Sequence, residues 1–249
     1  MVESGYDKFR EEIDDPASSE IAVAERRFMA GVYNWMTAGL AITAFTAWRV
    51  VCGMEDQTSF FWRHPGIFLA LLLVELVLVL FLSAAVRKLS PTVAALCFIG
   101  YSVLSGITLA PIFMIYTRTA IYAAFFTCAG MFGGVSLFGY MTRMKLTGLG
   151  AICSMGLIGL IVASLVNFFL QSDMFGYILS FFGVAVFLGL TAWDTQYLRQ
   201  LAARSASADN GHTLSDEMRK VSILGALKLY LDFVNLFLYL LRIFGGRRN

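Results

Sequence analysis

The sequence predicts an all-α polytopic membrane protein, a bundle of seven transmembrane helices with the seventh in its centre. Three observations carry that prediction. Only 14% of the 249 residues are charged and 58% are hydrophobic, whereas a soluble domain carries about a quarter charged residues. A mean hydropathy of +0.72 leaves more apolar surface than one soluble core can bury, so the chain needs lipid. The apolar residues also gather into seven runs, each near the ~20 residues that cross a bilayer core as a helix. The runs are unbroken, whereas barrel strands alternate over about ten residues, and this selects helices.

The first 27 residues read as an acidic polar tail containing Glu11, Glu12, Asp14 and Asp15, unlike the basic start of a signal peptide. The transmembrane domain then occupies 28–249. Its segments run Phe28–Val51, Gly66–Val86, Thr92–Ile115, Thr119–Tyr140, Leu146–Phe169, Met174–Tyr197 and Val221–Phe244. Arg87-Lys-Leu-Ser-Pro91 ends the second, because charge and proline both oppose a continuing apolar helix. Gln171, Ser172 and Asp173 make a very short turn between the fifth and sixth. Ala202–Gly211, rich in Ala, Ser, Asp and Asn, reads as a loop before the last segment. Small residues spaced by four, Gly130-xxx-Gly134 and Ser102-xxx-Gly106-xxx-Ala110, offer faces for close helix packing.

Lys and Arg are distributed unevenly about these segments. Twelve lie on the side of the N-terminus, from Lys8 to Lys220, and six on the other, from Arg49 to Arg248. The positive-inside rule therefore puts the N-terminus in the cytoplasm. Seven spans put the C-terminus outside, although Arg247 and Arg248 also suit a last segment that dips in and returns. A formal charge of +2 makes no case for nucleic acid. Cys52, Cys97, Cys128 and Cys153 form no CxxC pair and read as buried thiols rather than a zinc site or disulfide framework. His64 and His212 are isolated, and no Gly-x-Ser-x-Gly or His-Glu-xx-His is present, so enzyme chemistry has no support.

The functional information lies in four ionisable groups at membrane depth: Asp194, Asp232, Glu75 and Lys228. A carboxylate at a helix centre costs ~3 kcal/mol on insertion scales, so it faces a partner or a wet cavity. Lys228, Asp232, Asn235 and Tyr239 are spaced by four, three and four and share one face of the last helix. That stripe demands a shielded, central position. Asp194 closes the sixth segment near its cytoplasmic end, and helices joined in sequence are usually neighbours, so the two aspartates can meet. Two carboxylates sharing a site resist double ionisation, which makes a proton-controlled latch or an oxygen site for a hard cation such as calcium. The alternative is an internal Asp232–Lys228 ion pair, with Asp194 reaching to the interface. Glu75, in mid-membrane, calls for an interhelical partner or a wet interior, and Arg87 is placed to counter Asp194. A membrane aspartyl protease also uses two aspartates, but Asp194 follows Trp193 and Asp232 sits in Leu-Tyr-Leu-Asp-Phe, without the settings such enzymes use.

The run from Ile223 to Gly245, ILGALKLYLDFVNLFLYLLRIFG, together with Asp194-Thr-Gln196, Arg87-Lys-Leu-Ser-Pro91 and Tyr101-Ser-Val-Leu-Ser-Gly-Ile-Thr-Leu-Ala-Pro111, resembles the Bax inhibitor-1 family. This is also called the transmembrane Bax inhibitor motif family, and the likeness is greatest to its bacterial inner-membrane branch. The resemblance implies seven helices around a central seventh and a pH-sensitive calcium leak. It places the family's di-aspartyl pair on Asp194 and Asp232, a basic latch on Arg87 and an acidic position on Glu75. Glu75, Lys228, Asn235 and Tyr239 would be pore-lining or modulatory. Lys228 departs from the family pattern, since an ammonium one turn from Asp232 opposes calcium binding. The other function open to the chain is a non-transporting regulator that engages a membrane protease or quality-control partner through the tail at Glu11–Asp15.

Overall fold

A computed structural model describes residues 16–53, 65–85, 89–208 and 216–245. Its helices are α1 Pro16–Gly53, α2 Pro65–Ala85, α3 Pro91–Leu109, the one-turn α4 Ile112–Ile115, α5 Arg118–Met141, α6 Thr147–Leu170, α7 Asp173–Ala208 and α8 Asp216–Phe244. All but α4 are long and apolar enough to cross a membrane, which gives the seven spans expected.

Local chemistry sets the helix ends. Ser90 Oγ accepts from the Val93 N–H at 3.3 Å and Pro91 follows it, a combination suited to starting a helix. Pro111 has no N–H to continue α3, so the chain makes the single turn of α4. Thr117 then caps α5 by accepting from the Ala120 N–H at 3.3 Å. The turn at 171–173 is as tight as expected. Gln171 adopts a left-handed conformation (φ 50°), its N–H reaches the Asn167 carbonyl at 2.7 Å, and Ser172 Oγ accepts from the Phe175 N–H at 3.2 Å.

Two sequence expectations are corrected. The loop placed at Ala202–Gly211 is helical through Ala208, because Leu198 and Ala202 are buried and α7 keeps packing after it leaves the apolar zone. The Gly130-xxx-Gly134 face packs on no described helix, since a Cβ at either glycine meets nothing within 4 Å. The α3 face behaves as expected: a Cβ on Gly106 would lie 2.7 Å from the Thr43 carbonyl oxygen, and Ser102 and Ala110 are buried. α1 extends back to Pro16 and carries Glu25 into the bundle. Glu11 to Asp15, Arg87, the remainder of the expected loop at 209–211, Arg247 and Arg248 lie outside the described residues.

The core is built around α8, which packs against α1, α3, α5 and α7. Burial covers 56% of its most apolar stretch, compared with 39% for α3 and α7 and 6% for α2, so α8 is the central helix. Leu227, Leu229, Tyr230, Leu236 and Leu241 are fully enclosed. α2 lies outermost against α3, and α6 lies against α7. Phe126, Met155, Phe168 and Phe169 are each more than 70% exposed, an apolar exterior that only lipid satisfies.

One close backbone approach leads to a test. A Cβ on Gly139 of α5 would stand 2.4 Å from the Ala192 carbonyl oxygen of α7, and backbone cannot swing aside. Gly139→Ala is expected to part α5 from α7 and cost about 1–3 kcal/mol, read as a lower thermal midpoint in detergent. Gly134→Ala, on the same helix with open space before it, is expected to leave the midpoint unchanged.

Candidate functional site

The last turns of α7 within the apolar zone and the middle of α8 form the principal polar centre. Asp194 and Asp232 are each only 5% exposed. Lys228 Nζ donates to Asp194 Oδ1 at 2.9 Å, so the ammonium crosses to the neighbouring helix. It also rests over the rings of Trp193 and Tyr197, 5.2 and 5.5 Å from their centroids, contacts that suit a partly desolvated cation. The charges acting on Asp232 are those of Asp194 and Lys228. Asp232 Oδ2 is buried without a hydrogen-bond partner.

This geometry goes against the alternative of an internal Asp232–Lys228 pair. Spacing by one turn permits that pair, but the rotation of α8 points Lys228 at α7. The result is two carboxylates beside one ammonium, with a spare oxygen on Asp232. Tyr239 lies on the α7 side as well, its ring filling the space before Gly183 and meeting Phe187 at 5.9 Å. Asn235 is drawn elsewhere: its amide donates to the Leu231 carbonyl one turn back at 2.8 Å. Arg87, expected opposite Asp194, lies outside the described residues.

Glu75 is not part of this centre. It has the interhelical partners its depth demands, accepting from the Ser105 hydroxyl and from Thr108 Oγ1, the latter at 3.1 Å. Both donors belong to α3. Tyr101 and Tyr230 stand beside Ser105, and the Tyr230 hydroxyl is 2.8 Å from Thr43 Oγ1 of α1. Tyr230 lies between Lys228 and Asp232 in sequence but faces α1 and α3. α8 therefore carries one polar centre on each of two faces.

Sequence reasoning missed the groups that hold Asp194 in place. Thr195 Oγ1 lies 3.0 Å from Ser136 Oγ of α5, which is hydrogen-bonded in turn to the Tyr33 hydroxyl of α1. Gln196 Nε2 donates to the Met144 carbonyl at 2.7 Å and its Oε1 accepts from the Leu146 N–H at 2.9 Å, pinning the α5–α6 connection. Arg199 Nε donates to Glu25 at 2.7 Å, Nη1 donates to the Tyr140 carbonyl, and the guanidinium lies 5.0 Å from the Tyr140 ring centroid. The available signal was the polar character of Thr195, Gln196 and Arg199 directly after Asp194; their partners lie 50 to 174 residues away in sequence. Among the described residues no group of three His, Cys, Asp or Glu could hold a metal. All four cysteines are free, Cys128 and Cys153 buried as expected and Cys52 exposed.

Comparison with known proteins adds a second line of argument. The family described as "Inhibitor of apoptosis-promoting Bax1" matches residues 25–249. The chain is 47% identical over 221 residues to the inner membrane protein YbhL of Escherichia coli K12, covering 89% of this chain and 92% of that one. It is 38% identical over 242 residues to an uncharacterized protein of Borreliella burgdorferi, covering 95% and 99%. It is also 36% identical over 224 residues to an uncharacterized membrane protein of Streptococcus pyogenes serotype M1, covering 90% and 94%. With the apolar bundle these matches describe a multi-pass protein of the inner membrane. The chain belongs to the Bax inhibitor-1 family, in its bacterial inner-membrane branch.

Proposed function

We propose that the chain is a pH-sensitive cation leak, with calcium as the candidate ion and Asp194 and Asp232 as the gate. Family membership supports a membrane-regulatory or channel-like role. The observation that carries the finer reading is the unpartnered Oδ2 of Asp232, enclosed beside an Asp194 already engaged by Lys228. With both aspartates ionised, the three groups sum to one negative charge. In a low-dielectric surround such a surplus is costly, and one proton or a share of a cation removes it. Taking up a proton favours the closed packing of α7 on α8. Losing it favours separation of the helices or entry of an oxygen-seeking cation.

Lys228 acts in this scheme as a tethered counter-ion. A metal ion has to displace it before using both Asp194 oxygens, and its side chain, 40% exposed over Trp193 and Tyr197, has somewhere to go. Glu75 supplies a second acidic station, Asn235 and Tyr239 modulate the path, and Arg87 is the proposed latch on the aspartates. The N-terminus is assigned to the cytoplasm by the excess of Lys and Arg on its side. The alternative is a non-transporting regulator that binds a membrane protease or quality-control protein through the acidic run at residues 11–15.

Liposomes loaded with a calcium-sensitive dye distinguish the two. Wild-type protein is expected to admit calcium faster in mildly alkaline than in mildly acidic buffer. Entry no faster than into empty liposomes at every pH would overturn the leak. Affinity capture from native membranes, with and without residues 1–20, then tests the regulator.

A further inference from the structure

α1 and α5 are not a closely packed pair of the bundle, although both pack on α8. They are bridged by Tyr33 and Ser136, and along the facing sides of the two helices lies a crevice of about 570 Å³. Its walls follow helical spacing, from Arg26 to Leu40 on α1 and from Tyr140 to Phe125 on α5, and Phe233 of α8 reaches its floor. A second cavity of about 220 Å³ shares Leu40, Phe125 and Phe233 and continues it toward α4. The mouth is open to the exterior of the bundle: Thr37, Ala129, Gly133 and Leu137 are all exposed. A Cβ on Gly133 would meet nothing within 4 Å.

We propose that this crevice is a binding site for one anionic phospholipid, its phosphate on Arg26 and one acyl chain lying between α1 and α5. The location chooses the occupant. The walls are overwhelmingly apolar, so water is excluded for lack of polar partners, and an empty volume of this size forfeits its dispersion contacts. The crevice opens where the bundle meets hydrocarbon. From Arg26 to Leu40 it runs about 21 Å along α1, longer than half of a ~30 Å bilayer core, so it accommodates a whole chain of one leaflet.

Charge chooses the headgroup. Arg26 is the one charged residue of the lining, is exposed at the end where α1 enters the membrane, and has no carboxylate partner among the described residues. A guanidinium so placed donates two parallel hydrogen bonds to a phosphate. The adjacent Arg199 is already committed to Glu25 and Tyr140. The occupant would touch the groups that flank both aspartates. Tyr33 and Ser136 lead to Thr195, next to Asp194, and Phe233 follows Asp232. A bound lipid thereby bears on the α7–α8 packing.

Native mass spectrometry of the full chain in detergent tests the proposal, with phosphatidylglycerol or phosphatidylcholine of identical acyl chains added. Wild-type protein is expected to retain one phosphatidylglycerol and to prefer it about tenfold, because phosphatidylcholine sets a choline cation beside the same phosphate and the Arg26 guanidinium repels it. Gly133→Phe, filling the crevice from α5, and Thr37→Phe, filling it from α1, are each expected to remove most of that retention. Arg26→Gln is expected to abolish the preference between the two lipids. The proposal is overturned by equal retention of both lipids in wild type. It is also overturned by unchanged phosphatidylglycerol retention in both filled variants, or by a lipid-free dimer that both variants dissociate.

Discussion

Asp232→Asn is expected to abolish the pH dependence of calcium entry into liposomes and to lower entry in alkaline buffer about tenfold, the scale of losing one charged interaction of about 1.4 kcal/mol. Asparagine keeps the shape of the side chain and removes its charge and its titration. The fold should tolerate it, because Asp232 Oδ2 has no hydrogen-bond partner to lose. What remains is a balanced Asp194–Lys228 pair with no surplus charge to recruit a proton or a cation. Asp194→Asn acts differently: it releases Lys228 from its 2.9 Å contact and leaves Asp232 as the carboxylate facing it. The two variants should therefore share the loss of pH response and differ in thermal stability, with Asp194→Asn the weaker protein. Wild-type flux and an unaltered pH profile in both would remove the aspartates from the gate.

Lys228→Met is expected to raise calcium entry severalfold while weakening the protein. Methionine is unbranched like lysine and one heavy atom shorter, so the change is chiefly the loss of the ammonium and its place over Trp193 and Tyr197. Removing one partner of an enclosed ion pair costs 3–5 kcal/mol where burial is complete. Here the Lys228 side chain is 40% exposed, which reduces the expected loss to about 1–2 kcal/mol. The same removal leaves two acidic side chains without their tethered cation, and a divalent ion then meets no competitor. Adding Asp194→Asn to Lys228→Met should restore part of the stability, because one of the two unpaired charges is gone, and should lower flux again. A folded Lys228→Met protein that conducts less than wild type would make the ammonium part of the path rather than its stopper.

These outcomes also separate the candidate site from the scaffold. Gly139→Ala acts through the contact of α5 with the Ala192 carbonyl, two residues before Asp194, and should reduce stability at every pH alike. Asp232→Asn should alter the response to protons with the bundle intact.

The seven spans were legible in the sequence because burial in lipid needs only sustained apolarity, which each run displays without reference to any other part of the chain. The centrality of α8 was legible for a related reason. Lys228, Asp232 and Tyr239 on one face cannot be left in hydrocarbon, and the structure turns all three toward α7. Loop length was less legible: Ala202–Ala208 has the composition of a loop, yet buried Leu198 and Ala202 carry the helix onward. Small-residue spacing misled at Gly130 and Gly134, where the glycines face outward, and succeeded at Gly106, because spacing names a face without saying what it meets.

The sequence by itself determined the class of protein, the number of crossings and the deep ionisable residues, since these follow from composition and helical periodicity alone. Only the tertiary structure decided that Lys228 bonds to Asp194 rather than Asp232, that Arg199 holds Glu25, and that α1 and α5 leave a crevice between them. Those outcomes depend on how each helix is rotated and tilted against its neighbours. Rotation and tilt are set by the fit of many side chains at once, from segments far apart in the chain, and no local pattern records them.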